Sequence, residues 1–289
     1  MDFLDLISGG DVLLLDGAMG TELDKRGLPS RIRANLDHPE EVIGVHSDYL
    51  DAGCRALITN TLIMNRVYLE THQLDVDVAD VNRTGAQLAR RAAGVATCIL
   101  GNLCSTGQLI EPYGTLTEAA AYDAFKEQAG YLADAGVDAF IIETVYDLRE
   151  ALCAVRACRE FSPPVIASIS FSTEQNGGRT IMGDTAEQCA VQLTDAGVAA
   201  VGTNCGDLDP AQMAIVVSHL AANTALPILA EPNAGKPQLV DGQPLFDMEP
   251  EPFARGVLAC REAGATLIGG CCGSSPAHIR PVADLLDAQ

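Results

Sequence analysis

Four times along this chain an Ala-Gly pair is followed, two or three residues on, by a short apolar run. The copies are Ala52-Gly53 before Ala56-Leu57-Ile58-Thr59, and Ala135-Gly136 before Ala139-Phe140-Ile141-Ile142. The other two are Ala196-Gly197 before Ala199-Ala200-Val201-Gly202, and Ala263-Gly264 before Thr266-Leu267-Ile268-Gly269. Glycine just after a helix takes the left-handed conformation that closes it. An apolar run without alternation reads as a strand buried on both faces, which means a parallel sheet.

The four glycines are 83, 61 and 67 residues apart, about two βα units each at roughly 30–40 residues per unit. The missing strands are present at Val12–Leu15, Ala96–Leu100, Val165–Ile169 and Pro227–Ala230. Helical patterns alternate with them at Glu40–Asp51, Val78–Ala93, Leu116–Asp134, Asp147–Phe161, Ala186–Asp195, Pro210–Ala222, Pro252–Glu262 and Pro276–Asp287. Eight units predict a single (β/α)8 TIM barrel spanning residues 1–289 as one domain, with the active site at the C-terminal strand ends. The alternative is an open doubly wound sheet, but no Gly-x-Gly-x-x-Gly turn follows the first strand to support dinucleotide binding.

The long connections follow strands one, two, three and seven, at Asp16–Pro39, Asn60–Asp77, Gly101–Thr115 and Glu231–Pro250. All lie on the strand-to-helix side, where this architecture builds its sites. Polar residues at those strand ends converge on the mouth: Asp16, Thr59-Asn60-Thr61, Asn102, Glu143-Thr144, Asn204-Cys205, Glu231-Pro232-Asn233 and Gly270-Cys271-Cys272.

Gly269-Gly270-Cys271-Cys272-Gly273 stands at the last strand-to-helix junction. Adjacent side chains on a straight strand point to opposite faces, so two thiols reach one point only where glycine lets the chain bend. Cys205, at the end of the sixth strand, supplies a third thiol on the same face. Three thiolates suit zinc and leave a fourth position for water or substrate. The alternative is three cysteines that merely pack at the barrel end. An iron–sulfur cluster lacks a regular four-cysteine spacing. Cys54, Cys98, Cys153, Cys158, Cys189 and Cys260 sit in apolar patterns and read as core residues.

Two carboxylates have structural alternatives as well: Asp16 could cap the turn that follows it, and Glu143 could pair with an arginine. Yet Glu143 follows Phe140-Ile141-Ile142, so a buried charge there requires compensation. A ligand ammonium would supply it, and the amides of Gly17 to Gly20 would receive a ligand carboxylate. These groups outline a site for an amino acid that carries a thiol.

Charge narrows the function classes. A net charge of −21 and a pI near 4.4 argue against nucleic acid and anionic membranes as partners. The acidity reads as a solvated surface, with a basic protein partner as the other reading. The first ten residues lack a signal-peptide pattern, and no stretch reaches roughly 18 apolar residues. Ten cysteines without a secretion signal predict free thiols and a cytoplasmic location.

Across essentially its whole length the chain resembles the homocysteine S-methyltransferase family. The motifs that carry the resemblance are Asp16-Gly17-Ala18-Met19-Gly20-Thr21, Thr59-Asn60-Thr61, Glu143-Thr144, Asn204-Cys205, Glu231-Pro232-Asn233-Ala234-Gly235-Lys236-Pro237 and Gly269-Gly270-Cys271-Cys272-Gly273. The run from Glu231 to Pro237 is most similar to the homocysteine-binding module of cobalamin-dependent methionine synthase.

The resemblance implies zinc held by Cys205, Cys271 and Cys272, with homocysteine entering through sulfur as the fourth ligand. Coordination would deprotonate its thiol, and the zinc-bound thiolate would attack an activated methyl group, giving methionine. Glu143 and Asp16 would hold the amino group, and the turn at Gly17, Ala18 and Met19 the carboxylate. Asn233 would ligate zinc when substrate is absent. The chain departs from the methionine synthase pattern at Cys104-Ser105-Thr106-Gly107, where Gly-Pro-Thr-Gly is usual, and at Leu62, where an aromatic is usual. Both changes bear on the methyl donor. With no folate-, cobalamin- or reactivation-domain sequence, a methylcorrinoid donor would have to sit on a separate protein. The alternatives are a small-molecule donor (S-methylmethionine, or a betaine or sulfonium compound), and a non-catalytic subunit that binds zinc and homocysteine. An onium donor calls for aromatic faces, and aromatics are 4% of the chain, with Tyr113 and Tyr146 near the mouth.

Overall fold

All four Ala-Gly junctions close a helix in the computed structural model of the chain, with φ of +105° at Gly53, +80° at Gly136, +79° at Gly197 and +117° at Gly264. The structure describes residues 3–28, 32–94, 97–240 and 243–287. The chain begins with α1 (Phe3–Ser8), β1 (Leu13–Leu14), α2 (Met19–Lys25), α3 (Ala34–Asp37), α4 (Pro39–Asp51), β2 (Ala56–Ile58), α5 (Arg66–Thr71) and α6 (Val78–Ala93). It continues with β3 (Cys98–Cys104), α7 (Glu118–Asp134), β4 (Ala139–Val145), α8 (Leu148–Cys158), β5 (Val165–Ile169) and α9 (Ala186–Asp195). Then follow β6 (Ala200–Asn204), α10 (Pro210–Ala221), β7 (Ile228–Glu231), β8 (Gln238–Val240), β9 (Gln243–Leu245), α11 (Pro250–Glu262), β10 (Ala265–Ile268) and α12 (Pro276–Asp287).

Eight strands form one sheet in the order β1-β10-β7-β6-β5-β4-β3-β2, and every neighbouring pair is parallel. The two end strands also meet: Leu15 bridges Ala56 in parallel, and the Arg55 N–H donates to the Leu14 carbonyl at 2.8 Å. The sheet therefore closes into the expected (β/α)8 barrel, and the open-sheet alternative falls.

Strand alternation divides the core into two layers. Leu13, Leu15, Leu100, Ile141, Ile166, Leu229 and Leu267 fill the barrel interior, joined at its base by Phe3 and Ile7 of α1. Leu14, Leu57, Ile99, Phe140, Ile142, Val201 and Ile268 face outward and pack under the helices. The six cysteines expected in the core are all buried. The helices begin where capping residues permit. Asp209 forms a reciprocal capping box with Gln212 ahead of Pro210, which leaves no helical N–H unsatisfied at the first position. Among the described residues no helix is long and apolar enough to cross a membrane.

Several boundaries differ from the sequence reading. The third strand does not stop at Leu100 but runs to Cys104, and the fourth passes Ile142 to Val145. Asn102 and Glu143 break the apolar pattern because they turn into the mouth, where polar groups are wanted. The expected strand start at Ala96, and Gly242 of the seventh loop, lie outside the described residues. The first long connection contains α2 and α3, and the seventh carries the β8–β9 antiparallel hairpin. A further long connection, between β5 and α9, is tied by bridges of Arg179 to Thr173 and Thr185.

Candidate active site

At the end of β4 the register against β5 shifts between Ile142 and Val145, so one extra residue is accommodated. Thr144 takes a left-handed φ of +58° there. Such a bulge re-aims neighbouring side chains, and here Glu143 turns toward the mouth. Cys205, just past β6, also has a positive φ, +53°, followed by Gly206 at +67°. At Gly206 a Cβ would lie 2.3 Å from the Phe171 carbonyl oxygen, so only glycine lets the Cys205 turn pack this closely.

That turn brings Cys205 to the pair on the β10 side. The sulfurs of Cys205 and Cys272 are 3.8 Å apart, and all three sulfurs of Cys205, Cys271 and Cys272 lie within 4.8 Å of one another. Tetrahedral zinc with Zn–S bonds of about 2.3 Å places sulfurs about 3.8 Å apart, so the triad fits such an ion. Hydrogen bonding to Cys205 and Cys272, together with burial, pushes the Cys271 thiol well up. For Cys205 the Cys271 bond pulls down, but Cys272 and burial outweigh it. Crowded thiols ionise together only when a cation joins them.

The backbone around the triad is pinned by the seventh strand end. Cys271 N–H donates to the Pro232 carbonyl at 2.8 Å, Ala234 N–H to the Cys272 carbonyl at 2.9 Å, and Cys205 N–H to the Glu231 carbonyl at 3.2 Å. Asn233 donates from Nδ2 to the Gly206 carbonyl at 3.0 Å, while its buried Oδ1 has no hydrogen-bond partner. That oxygen is an unused acceptor next to the Cys205 turn.

Glu143 accepts from Asn102 at 2.6 Å and from Asn204 at 3.0 Å. Neither partner is an arginine, and among the described residues no cation pairs with it. Burial pushes its carboxyl up to about 7. Asp16 does not cap its turn; its carboxyl accepts the Ile58 N–H at 3.1 Å and lies 3.9 Å from His46 Nδ1. Burial drives Asp16 up and His46 down to about 3, so the imidazole is neutral and leaves the carboxyl uncompensated. Glu231 is buried with both carboxyl oxygens unpartnered, and burial and then Glu143 and Asp16 raise it well above the ordinary range. Three carboxyls thus crowd together behind the mouth, and burial makes each hold its proton more readily than an exposed carboxyl.

A cavity of about 190 Å³ opens beside the thiols. Gly17, Ala18, Met19, Glu143 and the three cysteines line it, whereas Asp16 and Asn233 stand behind the lining. Met19 opens α2, whose first-turn amides have no intrahelical acceptor. Ala18 N–H is already taken by Ser274 Oγ at 3.1 Å, and Tyr49 donates to the Ala18 carbonyl at 3.1 Å.

The sequence pattern of the homocysteine S-methyltransferase family matches residues 13–286. The chain belongs to that family. Within it, the chain is 31% identical to methionine synthase of Mycobacterium tuberculosis over 98% of its own length, and 30% identical to that of Mycobacterium leprae over 94%. It spans about a quarter of the length of those relatives. Among solved structures, the homocysteine methyltransferase MmuM of Escherichia coli superposes with a TM-score of 0.78 in its metallated form, covering 97% of this chain and 98% of that one. Its oxidised form gives 0.81, over 99% of each chain. Both are 24% identical, so this likeness concerns the fold.

Sequence reasoning assigned no role to three residues around this site. Ser274 links the Ala18 amide to the Cys271 carbonyl, donating to the latter at 2.7 Å. Glu231 was visible only as a strand end. Asn204 is a buried polar hub, and its place beside Cys205 was the one available signal. Cys104 is not part of the triad. Its thiol faces the Thr144 carbonyl at 3.7 Å, and burial and then Glu143 hold it well up.

Proposed function

We propose that this chain transfers a methyl group to the sulfur of homocysteine, giving methionine, and that residues 1–289 act as one homocysteine-binding catalytic module. One observation carries the reading: three mutually close thiols and an uncompensated carboxyl, Glu143, face the same cavity. An α-amino acid with a thiol at the far end of its side chain meets both sets of groups. Cys205, Cys271 and Cys272 would hold zinc, and Asn233 Oδ1 would take the remaining position before substrate arrives. When bound, zinc supplies the Lewis acidity that lets a thiol lose its proton near neutral pH.

The residues of the chain do the rest. Glu143 binds the ammonium, Asp16 stands behind it, and the turn at Gly17, Ala18 and Met19 receives the carboxylate at the first-turn amides of α2. The homocysteine sulfur then forms a bond to the methyl carbon while the donor–methyl bond breaks, its electron pair leaving with the donor.

For the donor, we favour a methylcorrinoid. None of the described cavity-lining residues is aromatic, and the exposed Tyr113 ring already lies under Arg149, 5.6 Å from its centroid. A betaine or sulfonium donor would therefore find no ring face in the cavity lining itself; Tyr146, half-buried and within electrostatic reach of Cys205 and Cys271, is the ring that such a donor would have to use.

Two measurements test this. Metal analysis of the purified protein is expected to find about one zinc per chain. Incubation with homocysteine and a panel of donors (a methylcorrinoid protein, S-methylmethionine, betaine), scored for methionine, is expected to show turnover with the corrinoid. Full activity without zinc would overturn the chemistry. Homocysteine binding without turnover on any donor would make the chain a non-catalytic binding subunit.

A further inference from the structure

The side chain of Asn204 joins the two halves of the site. It ends β6, one residue before Cys205, is fully buried, and pairs in the ladder with Glu231. Its Oδ1 accepts the Thr144 N–H at 3.0 Å and the Ser168 hydroxyl at 2.7 Å. Its Nδ2 faces three acceptors: Thr144 Oγ1 at 2.8 Å, Glu143 Oε2 at 3.0 Å and Cys271 Sγ at 3.8 Å. Two N–H bonds are thus shared among three acceptors.

The neighbours on both sides are in an unfavourable conformation. Thr144 and Cys205 have φ of +58° and +53°, a region that non-glycine residues rarely enter and β-branched ones least of all. Such conformations persist only where the surroundings over-determine them, and they cluster at functional sites. Asn204 makes two hydrogen bonds to Thr144 and is joined covalently to Cys205. One amide therefore determines where the β4 bulge presents Glu143 and where the Cys205 turn meets Cys271.

We propose that Asn204 is a positioning residue that sets the separation between the Glu143 carboxyl and the Cys271 sulfur, and thereby selects homocysteine over the shorter cysteine. The inference rests on the reading that the site binds homocysteine by ammonium and thiol. Glu143 fixes one end of the ligand and the thiol cluster the other. The distance between them decides which side-chain length reaches both, and Asn204 is bonded to both.

Cobalt(II)-loaded protein tests this, with homocysteine and cysteine binding measured by calorimetry and the sulfur-to-cobalt absorption as a second readout. For Asn204→Ser we expect cobalt still bound at about one per chain and a shifted absorption band. We also expect homocysteine binding weakened about tenfold or more, as for other outer-shell groups, and a smaller ratio of homocysteine to cysteine affinity. An unchanged band and ratio would overturn the proposal. The double variant Thr144→Gly/Asn204→Ser separates positioning from simple backbone support, because glycine adopts the left-handed conformation without cost. If it regains thermal stability while the band shift and the lost discrimination remain, the proposal stands. Recovery of discrimination would sink it. Wild-type protein that binds cobalt but not homocysteine would overturn the underlying reading and the inference together.

Discussion

Ser274 receives the Ala18 N–H on its hydroxyl oxygen at 3.1 Å and donates that hydroxyl to the Cys271 carbonyl at 2.7 Å. The turn after β1 is thus tied to the thiol pair after β10. A Cβ at Gly17 would lie 2.6 Å from the same oxygen, so the link has no room to slacken. Ser274→Ala removes both hydrogen bonds and leaves a half-buried amide unsatisfied. We expect a loss of about 1–3 kcal/mol in urea unfolding. Homocysteine binding should weaken while zinc content is retained. Loss of zinc in this variant would mean that the serine acts on the metal ligands instead.

Cys272→Ala should leave protein with less than one zinc per chain and little homocysteine binding. Cys189→Ala is the control, because that thiol lies in the outer core, away from the mouth. It should keep its zinc and lose on the order of 1 kcal/mol of stability for the small cavity. Elemental analysis and calorimetry on both variants decide the matter; equal zinc loss in the two would remove the special role of the triad.

Two glycines with similar backbones separate conformation from space. Gly136 has φ +80° and nothing within 4 Å of the point where a Cβ would stand, whereas a Cβ at Gly206, with φ +67°, would meet the Phe171 backbone. Gly136→Ala should cost about 1–2 kcal/mol, the left-handed penalty alone. Gly206→Ala should cost roughly 3 kcal/mol or more and displace Cys205, with loss of metal. Thermal unfolding together with zinc stoichiometry checks both.

Glu143 makes stability depend on pH in an unusual direction. Burial pushes its carboxyl up to about 7, while an unfolded chain releases that proton near about 4.3. Between those values the folded chain binds the extra proton, so stability is full below about pH 4 and falls as the pH rises to about 7. The loss is about 4 kcal/mol in the metal-free, ligand-free chain. Glu143→Gln removes the Glu143 share of the slope and leaves that of Asp16 and Glu231. It should be more stable than wild type at pH 8 and similar at pH 4, yet bind homocysteine poorly. Parallel pH profiles of the urea midpoint for the two proteins would refute this.

Much of the architecture was legible because the same physics repeats. Gly53, Gly136, Gly197 and Gly264 each end a helix for one conformational reason, and uniform apolar runs mark strands buried on both faces. Cys205 could be placed near Cys271 and Cys272 because strand ends share one side of the sheet. What the sequence concealed is side-chain geometry at the mouth. Nothing in the letters around Thr144 announces a left-handed residue, and Asn102 looked like the end of a strand that in fact continues to Cys104. The roles of Asn204 and Ser274 depend on partners 60 and 256 residues away, a pairing that no local pattern encodes. α2 was hidden for a related reason. Its start coincides with the glycine-rich turn, where loop composition masks helix.

Phe3 and Ile7 pack into the interior residues at the base of the barrel, while the cavity beside the thiols opens at the opposite end. The barrel is a blind cup. Anything that reaches Cys205, Cys271 and Cys272 enters by that one open end. On the proposed chemistry a ligand seated on the thiols would lie deepest and arrive before the donor, and its methylated form would leave after the spent donor. Traffic through the site would then be last in, first out.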